Sequence, residues 1–480
     1  MATSYTTALE LLQQASQEAK PANDGGQVEV VPLLESTGRI AARNIRSRLT
    51  TPEFDTSAMD GYAISSAATR DATPESPLIF HVKGAIAAGD EPKSWTTRSV
   101  DDGGIAGACI EIMTGARFPE PGPGEEELDA CIKMEDTMYI SSPSPYDRQG
   151  HVSLKPAKFI VVVRPVPRCA NRRFAGEDIC EGDTVIRAGQ MICASHLMPL
   201  ASVGVQSVAV QPMPIVRVFS TGKELLREQN EVANGANQPH GRDKLHTADP
   251  RESSIRDVNG VFLTAAFREV GAESQFLGQL ADETKDIADA VSHILSSNPP
   301  PNVIVTSGGV SVGKFDHVRG ALEQHVHGTR ILFHGLAIRP GHPVLFAMLP
   351  NMAGRETAFF GFPGNPGAAA ACFRFLAVPY VRHLLGQSPE TANKAFFVPQ
   401  RTSTQCRKNQ NNDCFQPGRV GTGEGGRIVV AEVGRSEGPA KLWPFVEANC
   451  WVHFRKGDHY EQGDLVECYP MTQHGFGVSS

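Results

Sequence analysis

Residues 303–325 of this 480-residue chain predict a strand, a glycine-rich loop and a helix, and this succession constrains the fold more than any other segment. The strand begins as the β-branched run 303–305, and the helix is predicted from Phe315 to about His325. Main-chain N–H groups in such a loop point towards an anion, and loops of this kind lie at the carboxyl edge of a parallel sheet. The sequence therefore predicts a parallel α/β sheet with a phosphorylated ligand at that edge.

Two other interpretations of this loop remain open. Gly308 and Gly313-Lys314 have the spacing of a nucleotide P-loop, but Phe315 stands where that motif needs Ser or Thr to hold magnesium. The loop could also be a turn without a ligand, because glycine supplies positive φ at turns whatever the function.

Composition excludes several classes of protein. The net charge is −8 and no Lys/Arg-rich run occurs, which argues against nucleic-acid and anionic-membrane surfaces. No stretch of 18 apolar residues and no secretory signal occur, so we expect no membrane span. The ten cysteines form no CxxC pair, which argues against a zinc site. Together with the missing signal and membrane span, this predicts a cytoplasmic protein with reduced thiols.

The chain is too long for one core, and its pattern changes along the sequence. An amphipathic helix is predicted at 6–19, short strands with Pro and Gly at 51–136, and alternating helices and strands from 254. A polar stretch at 229–252 is predicted to be an inserted surface loop, and the tail after 386 predicts a small β-barrel or sandwich. We predict four domains: a linking domain (1–50 with 146–211), an inserted β-rich domain (51–145), an α/β domain (212–387) and a C-terminal β-barrel (388–480).

Several blocks in fixed order resemble the molybdopterin molybdotransferase (molybdenum insertase) family, which includes the C-terminal domain of gephyrin. Together with the glycine-rich loop through Asp316 they are FDTSAMDGYA (54–63), IMTGA (112–116), GEDI (176–179), FSTG (219–222), IRDVN (255–259), RPGHP (339–343) and GFPGNP (361–366). The blocks cover about residues 6–385, and the tail resembles the family only weakly.

The resemblance implies a multidomain α/β and β fold: a MoaB/Mog-like parallel α/β domain, the inserted β-rich domain, an elongated linking domain and the C-terminal barrel. It implies a transferase that inserts molybdate into adenylylated molybdopterin, giving molybdenum cofactor and AMP. It also implies a homodimer in which the β-rich domain of one subunit covers the α/β cleft of the other. A separate molybdopterin adenylyltransferase would supply the substrate, and molybdoenzymes would be further partners.

Carried to this chain, the resemblance associates Asp60, Thr114 and Asp178 with catalysis. The carboxylates could hold Mg²⁺ or position water, and Thr114 could bind a phosphate oxygen. Asp60 could equally be a turn residue before Gly61, and Asp178 a cap. Weaker magnesium candidates are Asp316 and Asp282. The predicted pterin-binding residues are Ser307, Gly308, Gly309, Ser311, Gly313, Asp257, Arg339, His342, Pro343, Gly364 and Asn365.

The anion pocket departs from the family pattern at several positions. Lys223 and Lys314 add positive charge, Arg339 and His342 replace lysines, and Gly367-Ala368 replace Val-Ser. Arg339 offers a planar fork for an oxyanion, whereas His342 is charged only where a neighbouring anion raises its pKa. These changes leave open an alternative to the transferase, namely a catalytically altered molybdopterin-binding or scaffold homologue.

Overall fold

The structure is a computed structural model that describes eleven segments of the chain. They are residues 2–19, 28–91, 105–122, 125–140, 159–225, 255–280, 283–310, 317–398, 411–433, 438–471 and 475. The predicted site residues Ser311, Gly313, Asp316 and Asp282, together with Lys314 and the polar stretch 229–252, lie outside the described residues.

The N-terminal part of the chain forms a helix and three short antiparallel ladders. Helix α1 (Tyr5–Ala19) buries Ala8, Leu12 and Ala15, as the amphipathic pattern predicted. The ladders pair β1 (Glu29–Pro32) with β12 (Ser207–Val210), β2 (Ile45–Arg46) with β11 (Thr184–Ile186), and β3 (Thr56–Ser57) with β10 (Arg172–Arg173). Helix α2 (Ala194–Ser202) covers a small core with β1, β11 and β12.

The second unit is a six-stranded, mostly antiparallel sheet in the order β7-β4-β6-β5-β9-β8. Its strands are β4 (Gly61–Ile64), β5 (Leu78–Ile86), β6 (Ile105–Ile112), β7 (Ala130–Lys133), β8 (Met138–Ile140) and β9 (Phe159–Val162). Strand β9 lies in the stretch 146–211 that the sequence assigned to the linking domain, yet it pairs with β5 and β8. The domain limits stay a prediction.

The third unit is an α/β sheet in the order β14-β13-β15-β19-β18-β16. Its first four strands pair in parallel, and β18 and β16 are added through antiparallel pairings. The strands are β13 (Ile215–Thr221), β14 (Glu273–Leu280), β15 (Val303–Ser307), β16 (Arg330–His334), β18 (Leu345–Pro350) and β19 (Glu356–Phe362). The helices are α3 (Asn259–Glu269), α4 (Thr284–Leu295), α5 (His317–His325), α6 (Pro366–Cys372) and α7 (Val378–Leu384). All five residues of β15 are buried, as expected for a central strand covered on both faces.

The C-terminal unit is a closed β-barrel, one of the two architectures that the tail predicted. Strands β20 (Asn393–Val398), β21 (Asp413–Thr422), β22 (Ile428–Glu432), β23 (Cys450–Phe454) and β24 (Leu465–Pro470) form the ring, and β17 (Ile338–Arg339) pairs with β21. The short helix α8 (Pro444–Glu447) precedes β23.

The barrel packs against the α/β unit through a π-helical turn, Phe373–Ala377, that joins α6 to α7. Phe375 in this turn stacks on Phe415 of β21, with 3.7 Å between ring centroids. Both rings belong to one continuous core that also contains α1. Among the helices that the structure describes, none is both long and apolar enough to span a membrane.

Candidate functional site

A cleft of about 380 Å³ lies where three parallel strands of the α/β sheet end. Thr221 ends β13 and Gly222 follows it, Gly308 and Gly309 follow β15, and Gly364 lies beyond β19. After β13 the chain adds β14 on one side of it and then β15 on the other. The cleft therefore lies at a switch in strand order, where α/β sheets usually bind ligands.

Gly308 is required where the loop leaves β15. Its φ is +99°, and a Cβ atom there would lie 2.4 Å from the carbonyl oxygen of Thr221. Any other residue would therefore be strained and would push the β13 and β15 loops apart.

The main-chain donors of this loop are not equivalent. Gly308 N–H already donates to the carbonyl oxygen of Phe362 at 2.9 Å, so its predicted role as a phosphate donor competes with a bond between strand ends. Gly309 N–H has no main-chain acceptor among the described residues, and Gly309 lines the cleft. Of these two glycines, Gly309 is the one whose N–H has no main-chain acceptor in the described part of the chain.

Buried hydroxyl groups that have no hydrogen-bond partner among the described residues surround the same strand ends. They belong to Ser220, Thr221 and Thr306, none of which the sequence analysis placed among the site residues. The Asp257 Oδ2 atom is also buried without a partner, while Oδ1 accepts the N–H of Gly260 at 2.9 Å. Since buried polar groups in proteins are nearly always hydrogen-bonded, these atoms suit a ligand or water.

Asn259 is a second residue that sequence reasoning missed, although it ends the IRDVN block. Its side chain is buried, and Nδ2 donates to Ser307 Oγ at 2.7 Å and to the carbonyl oxygen of Gly364 at 2.8 Å. One amide group therefore fixes three loops, and it also engages the Ser307 hydroxyl that was predicted to bind pterin. The sequence feature that could have revealed this role is its position: Asn259 ends a family block and begins helix α3.

The RPGHP block crosses from the α/β sheet towards the barrel. Pro343 lines the cleft, whereas Arg339 lies in β17, which pairs with β21. His342 is exposed, and its Nδ1 atom lies 2.6 Å from the carbonyl oxygen of Leu336. Because a carbonyl oxygen only accepts, Nδ1 carries the proton, and a neutral His342 keeps Nε2 as an acceptor.

Helix α6 begins with the GFPGNP block, and its first turn meets the barrel. Gly364 and Asn365 line the cleft, and Asn365 is the N-cap. Gly367 N–H donates to the carbonyl oxygen of Pro439 at 2.8 Å. This donor of the α6 N-terminus is therefore satisfied by the barrel rather than left for a ligand.

Asp60 and Thr114 lie together in the second unit. The Asp60 Oδ1 atom accepts the Thr114 N–H at 2.7 Å. Donation from the Thr114 N–H and hydroxyl lowers the pKa of Asp60, which is exposed. Asp60 is thus a solvent-facing carboxylate that stays ionised.

Asp178 lies on the loop after β10. Strand β10 pairs with β3, and β3 ends three residues before Asp60 in the sequence. Its carboxylate lies 3.9 Å from the Arg173 guanidinium, and both groups are largely exposed. Arg172 fixes this region more firmly, because it donates to Asp55 and Glu127 at 2.8 Å each.

The cleft and the acidic residues do not meet within the described part of one subunit. The described residues lining the cleft include Lys223, Glu224 and His317, but not Asp60, Thr114 or Asp178. The sequence analysis expected these acidic residues to reach the cleft from a second subunit, and this stays a prediction. Among them, the described structure joins Asp60 and Thr114, whereas Asp178 pairs with Arg173.

Three family models match the chain in consecutive order. They are described as the MoeA N-terminal region (domain I and II), over residues 3–204, a probable molybdopterin binding domain, over 217–383, and the MoeA C-terminal region (domain IV), over 400–471. The chain belongs to the MoeA family, that is, the molybdopterin molybdotransferases. This confirms the resemblance found in the sequence and extends it to the tail.

Two curated MoeA relatives match over nearly their whole length. The molybdopterin molybdenumtransferase of Synechococcus elongatus is 28% identical over 468 residues, 97% of this chain and 99% of the relative. The protein of the same name from Haemophilus influenzae is 29% identical over 452 residues, covering 93% and 94%. A crystal structure of the MoeA protein of Pyrococcus horikoshii superimposes with a TM-score of 0.70 at 22% identity, covering 98% and 99%, and shares the fold.

The MoeA fold accommodates the departures noted in the sequence. Lys223 lines the cleft, and Ala368 is buried in α6. A Cβ atom on Gly367 would lie 2.8 Å from the carbonyl oxygen of Pro439, so glycine here allows the barrel loop to approach α6 closely. Glycine at 367, where the family usually has valine, therefore leaves room for the barrel loop at Pro439.

Proposed function

We propose that this protein is a molybdopterin molybdotransferase. It binds adenylylated molybdopterin, bonds molybdate to the dithiolene sulfurs, and releases molybdenum cofactor and AMP as the phosphoanhydride is broken. The observation that carries the proposal is the cleft at the carboxyl edge of the parallel strands, in a MoeA-family chain whose relatives bear that name. The Gly309 N–H and the Thr221 hydroxyl, which have no partner there among the described residues, are its candidate donors. No observation favours the scaffold alternative.

The phosphate of the pterin binds at the end of β15 in this proposal. Gly309 N–H and the Thr221 hydroxyl donate to its oxygens, and Lys223 supplies charge at the rim. Ser311 and Gly313 complete the loop as further donors. Pro343, Gly364 and Asn365 form part of the walls, and Asp257, Arg339 and His342 are proposed to bind the pterin and molybdate from outside the described lining.

Asp60 and Asp178 act on the anhydride rather than as anion binders, because a carboxylate repels a phosphate. Asp60 stays ionised through its bonds from Thr114, so near neutral pH it is a carboxylate that can bind a cation or position a water molecule by accepting a hydrogen bond. Thr114 holds the carboxylate in place.

Magnesium is proposed as the cation of this reaction, where it would neutralise charge on the phosphates. Among the described residues no cluster of three His, Cys, Asp or Glu side chains could hold a metal ion. Proteins usually bind Mg²⁺ through one or two carboxylates together with substrate phosphates. Asp60, Asp178, Asp316 and Asp282 are the candidates.

We further propose a homodimer, in which Asp60, Thr114 and Asp178 of one subunit close the cleft of the other. An exposed apolar pair supports a contact between subunits at the edge of the α/β sheet: Val261 on α3 is 69% exposed and Phe276 on β14 is 36% exposed. The four-domain division, a cytoplasmic location, and exchange with an adenylyltransferase and molybdoenzymes complete the proposal.

The test is to incubate the purified protein with adenylylated molybdopterin, Mg²⁺ and molybdate, and to measure AMP and cofactor that activates an apo-molybdoenzyme. We expect both products, dependent on molybdate and lost in the absence of protein. Pterin binding without AMP release would contradict the transferase and favour the scaffold. Absence of pterin binding would contradict the assignment of the cleft.

A further inference from the structure

A second cavity, of about 220 Å³, lies on the other side of α6, between α3, the π turn and the barrel. It shares no described lining residue with the cleft at the strand ends. Phe262 and Ala266 of α3, Phe373 of the π turn, and Phe445 and Trp451 of the barrel unit form its apolar walls. Its volume lies below the range of about 300–1,000 Å³ that is usual for drug-sized ligands, so it suits only a small molecule with one aromatic ring.

One charged group in this wall has an unsatisfied donor. The Arg382 guanidinium donates through Nη2 to the carbonyl oxygen of Ser388 at 2.9 Å, but its Nε is buried without an acceptor among the described protein groups. Burial lowers the pKa of Arg382, and Arg374 lowers it further, while Glu390 opposes the shift. A buried guanidinium N–H without an acceptor destabilises a fold, so this atom calls for a partner.

The neighbouring charges define which anion fits. Arg374 is already paired, with 2.7 Å to Glu390 and 3.1 Å to the carbonyl oxygen of Pro470. Glu269 and Glu390 also line the cavity and disfavour a dianion. A single carboxylate on Arg382 satisfies the free N–H without adding a second negative charge.

The wall also contains the π turn, whose five residues interrupt the α-helical pattern between α6 and α7. Such turns are rare and occur frequently at functional sites. Here the turn supplies Phe373 and Arg374 to the cavity.

We propose that this cavity binds a small aromatic monocarboxylate, with the carboxylate on Arg382 Nε and the ring between α3 and the barrel. The ligand would bridge the α/β unit and the barrel, because Phe373 and Arg382 belong to one and Phe445 and Trp451 to the other. The site is independent of pterin binding.

Calorimetric titration of the full-length protein with phenylacetate and with its neutral counterpart phenylacetamide tests the proposal. We expect phenylacetate to bind about tenfold more tightly or better, since only the acid offers the charged acceptor. Arg382→Gln should remove this preference, whereas Arg355→Gln, at an exposed loop arginine, should keep it. Ala266→Leu, which fills the cavity from α3, should abolish binding of both probes.

Equal affinity of the two probes for the unaltered protein would overturn the proposal, and this comparison does not depend on whether any variant folds. A preference that persists in Arg382→Gln, or unchanged binding in Ala266→Leu, would also overturn it.

Discussion

At the scale of single residues, the structure assigns different work to residues that look alike in sequence. Asp60 and Asp257 both sit in family blocks, yet Asp60 is exposed and held by Thr114, while Asp257 caps the start of α3 with one oxygen and leaves the other buried. Exposure decides which of them can reach solvent-borne substrate.

Asp60→Asn should lower the rate of molybdate insertion about 100-fold with little change in pterin affinity. The amide oxygen still accepts the Thr114 N–H, but the negative charge is gone. Stopped assays of AMP release and equilibrium pterin binding measure the two effects. Asp71→Asn, at an exposed turn of the same unit, is the control, and an equal loss there would contradict a specific role.

The pH dependence of the unaltered protein follows from the same contact. Because the Thr114 bonds lower the pKa of Asp60, its charge persists below the ordinary Asp value of about 3.9 and is lost only as pH falls through the lowered pKa. NMR titration of the Asp60 carboxyl should therefore give a midpoint below that value. A midpoint above it would contradict the hydrogen bond.

Asn259→Ala should weaken both stability and pterin binding. The change leaves the Gly364 carbonyl and the Ser307 hydroxyl without their shared donor, which should cost about 2–3 kcal/mol of the free energy of unfolding. Urea denaturation and pterin titration measure the effects. Asn393→Ala, exposed at the start of β20, should be near neutral, and an equally mild result at Asn259 would contradict the clamp.

At the scale of elements, the strand–loop–helix unit of β15 depends on one backbone conformation. Gly308 turns the chain at positive φ against the end of β13, while its N–H ties it to β19. Three neighbouring strand ends are thereby held within reach of one ligand.

Gly308→Ala should cost about 2–4 kcal/mol of unfolding free energy and abolish pterin binding, because strain at positive φ adds to the clash with Thr221. Gly354→Ala is the matched control: its φ is +68°, but a Cβ atom there meets nothing within 4 Å. It should cost only about 1 kcal/mol. Equal costs at both positions would show that backbone strain alone, and not the close approach of β13, requires the glycine.

At the scale of the whole molecule, α6 and the π turn join the barrel to the α/β unit. Gly367 and Pro439 join them by a main-chain bond, and Phe375 and Phe415 by stacked rings. Two ligand-sized spaces, the cleft and the cavity at Arg382, lie on either side of this joint.

Gly367→Ala and Gly320→Ala should change stability in opposite directions. A Cβ atom at 367 would lie 2.8 Å from the Pro439 carbonyl oxygen, so the barrel loop must move and we expect a loss of about 1–3 kcal/mol. At Gly320 in α5 the nearest atom is 3.7 Å away, and the gain in helix propensity should stabilise by about 0.5–1 kcal/mol. Denaturation curves of both variants give the two changes in unfolding free energy. A stabilising Gly367→Ala would contradict the close contact between the barrel loop and α6.

The proposed dimer should be weakened by a charge at the edge of the α/β sheet. Val261→Glu places a carboxylate on the exposed face of α3 beside Phe276, and sedimentation velocity should then show monomer. Met352→Glu, at an exposed loop residue, should leave the dimer intact. A dimer that persists in Val261→Glu would place the interface elsewhere.

The sequence alone was enough for features that depend on neighbouring residues. Helical and strand periodicity predicted α1, β15 and the alternation of the α/β unit, and the demand for positive φ marked the loop at Gly308, because both are local properties of the backbone. The order of the family blocks then predicted the fold and the transferase assignment.

Only the tertiary structure decided which of those residues meet. Asn259 binds Ser307 and Gly364, which lie 48 and 105 positions away, and the register of parallel strands, which no local pattern encodes, brings them together. The same holds for Arg382, whose ordinary helical position gives no hint of a buried cavity between two units. Contacts at long range depend on strand order and packing, and these are properties of the whole fold.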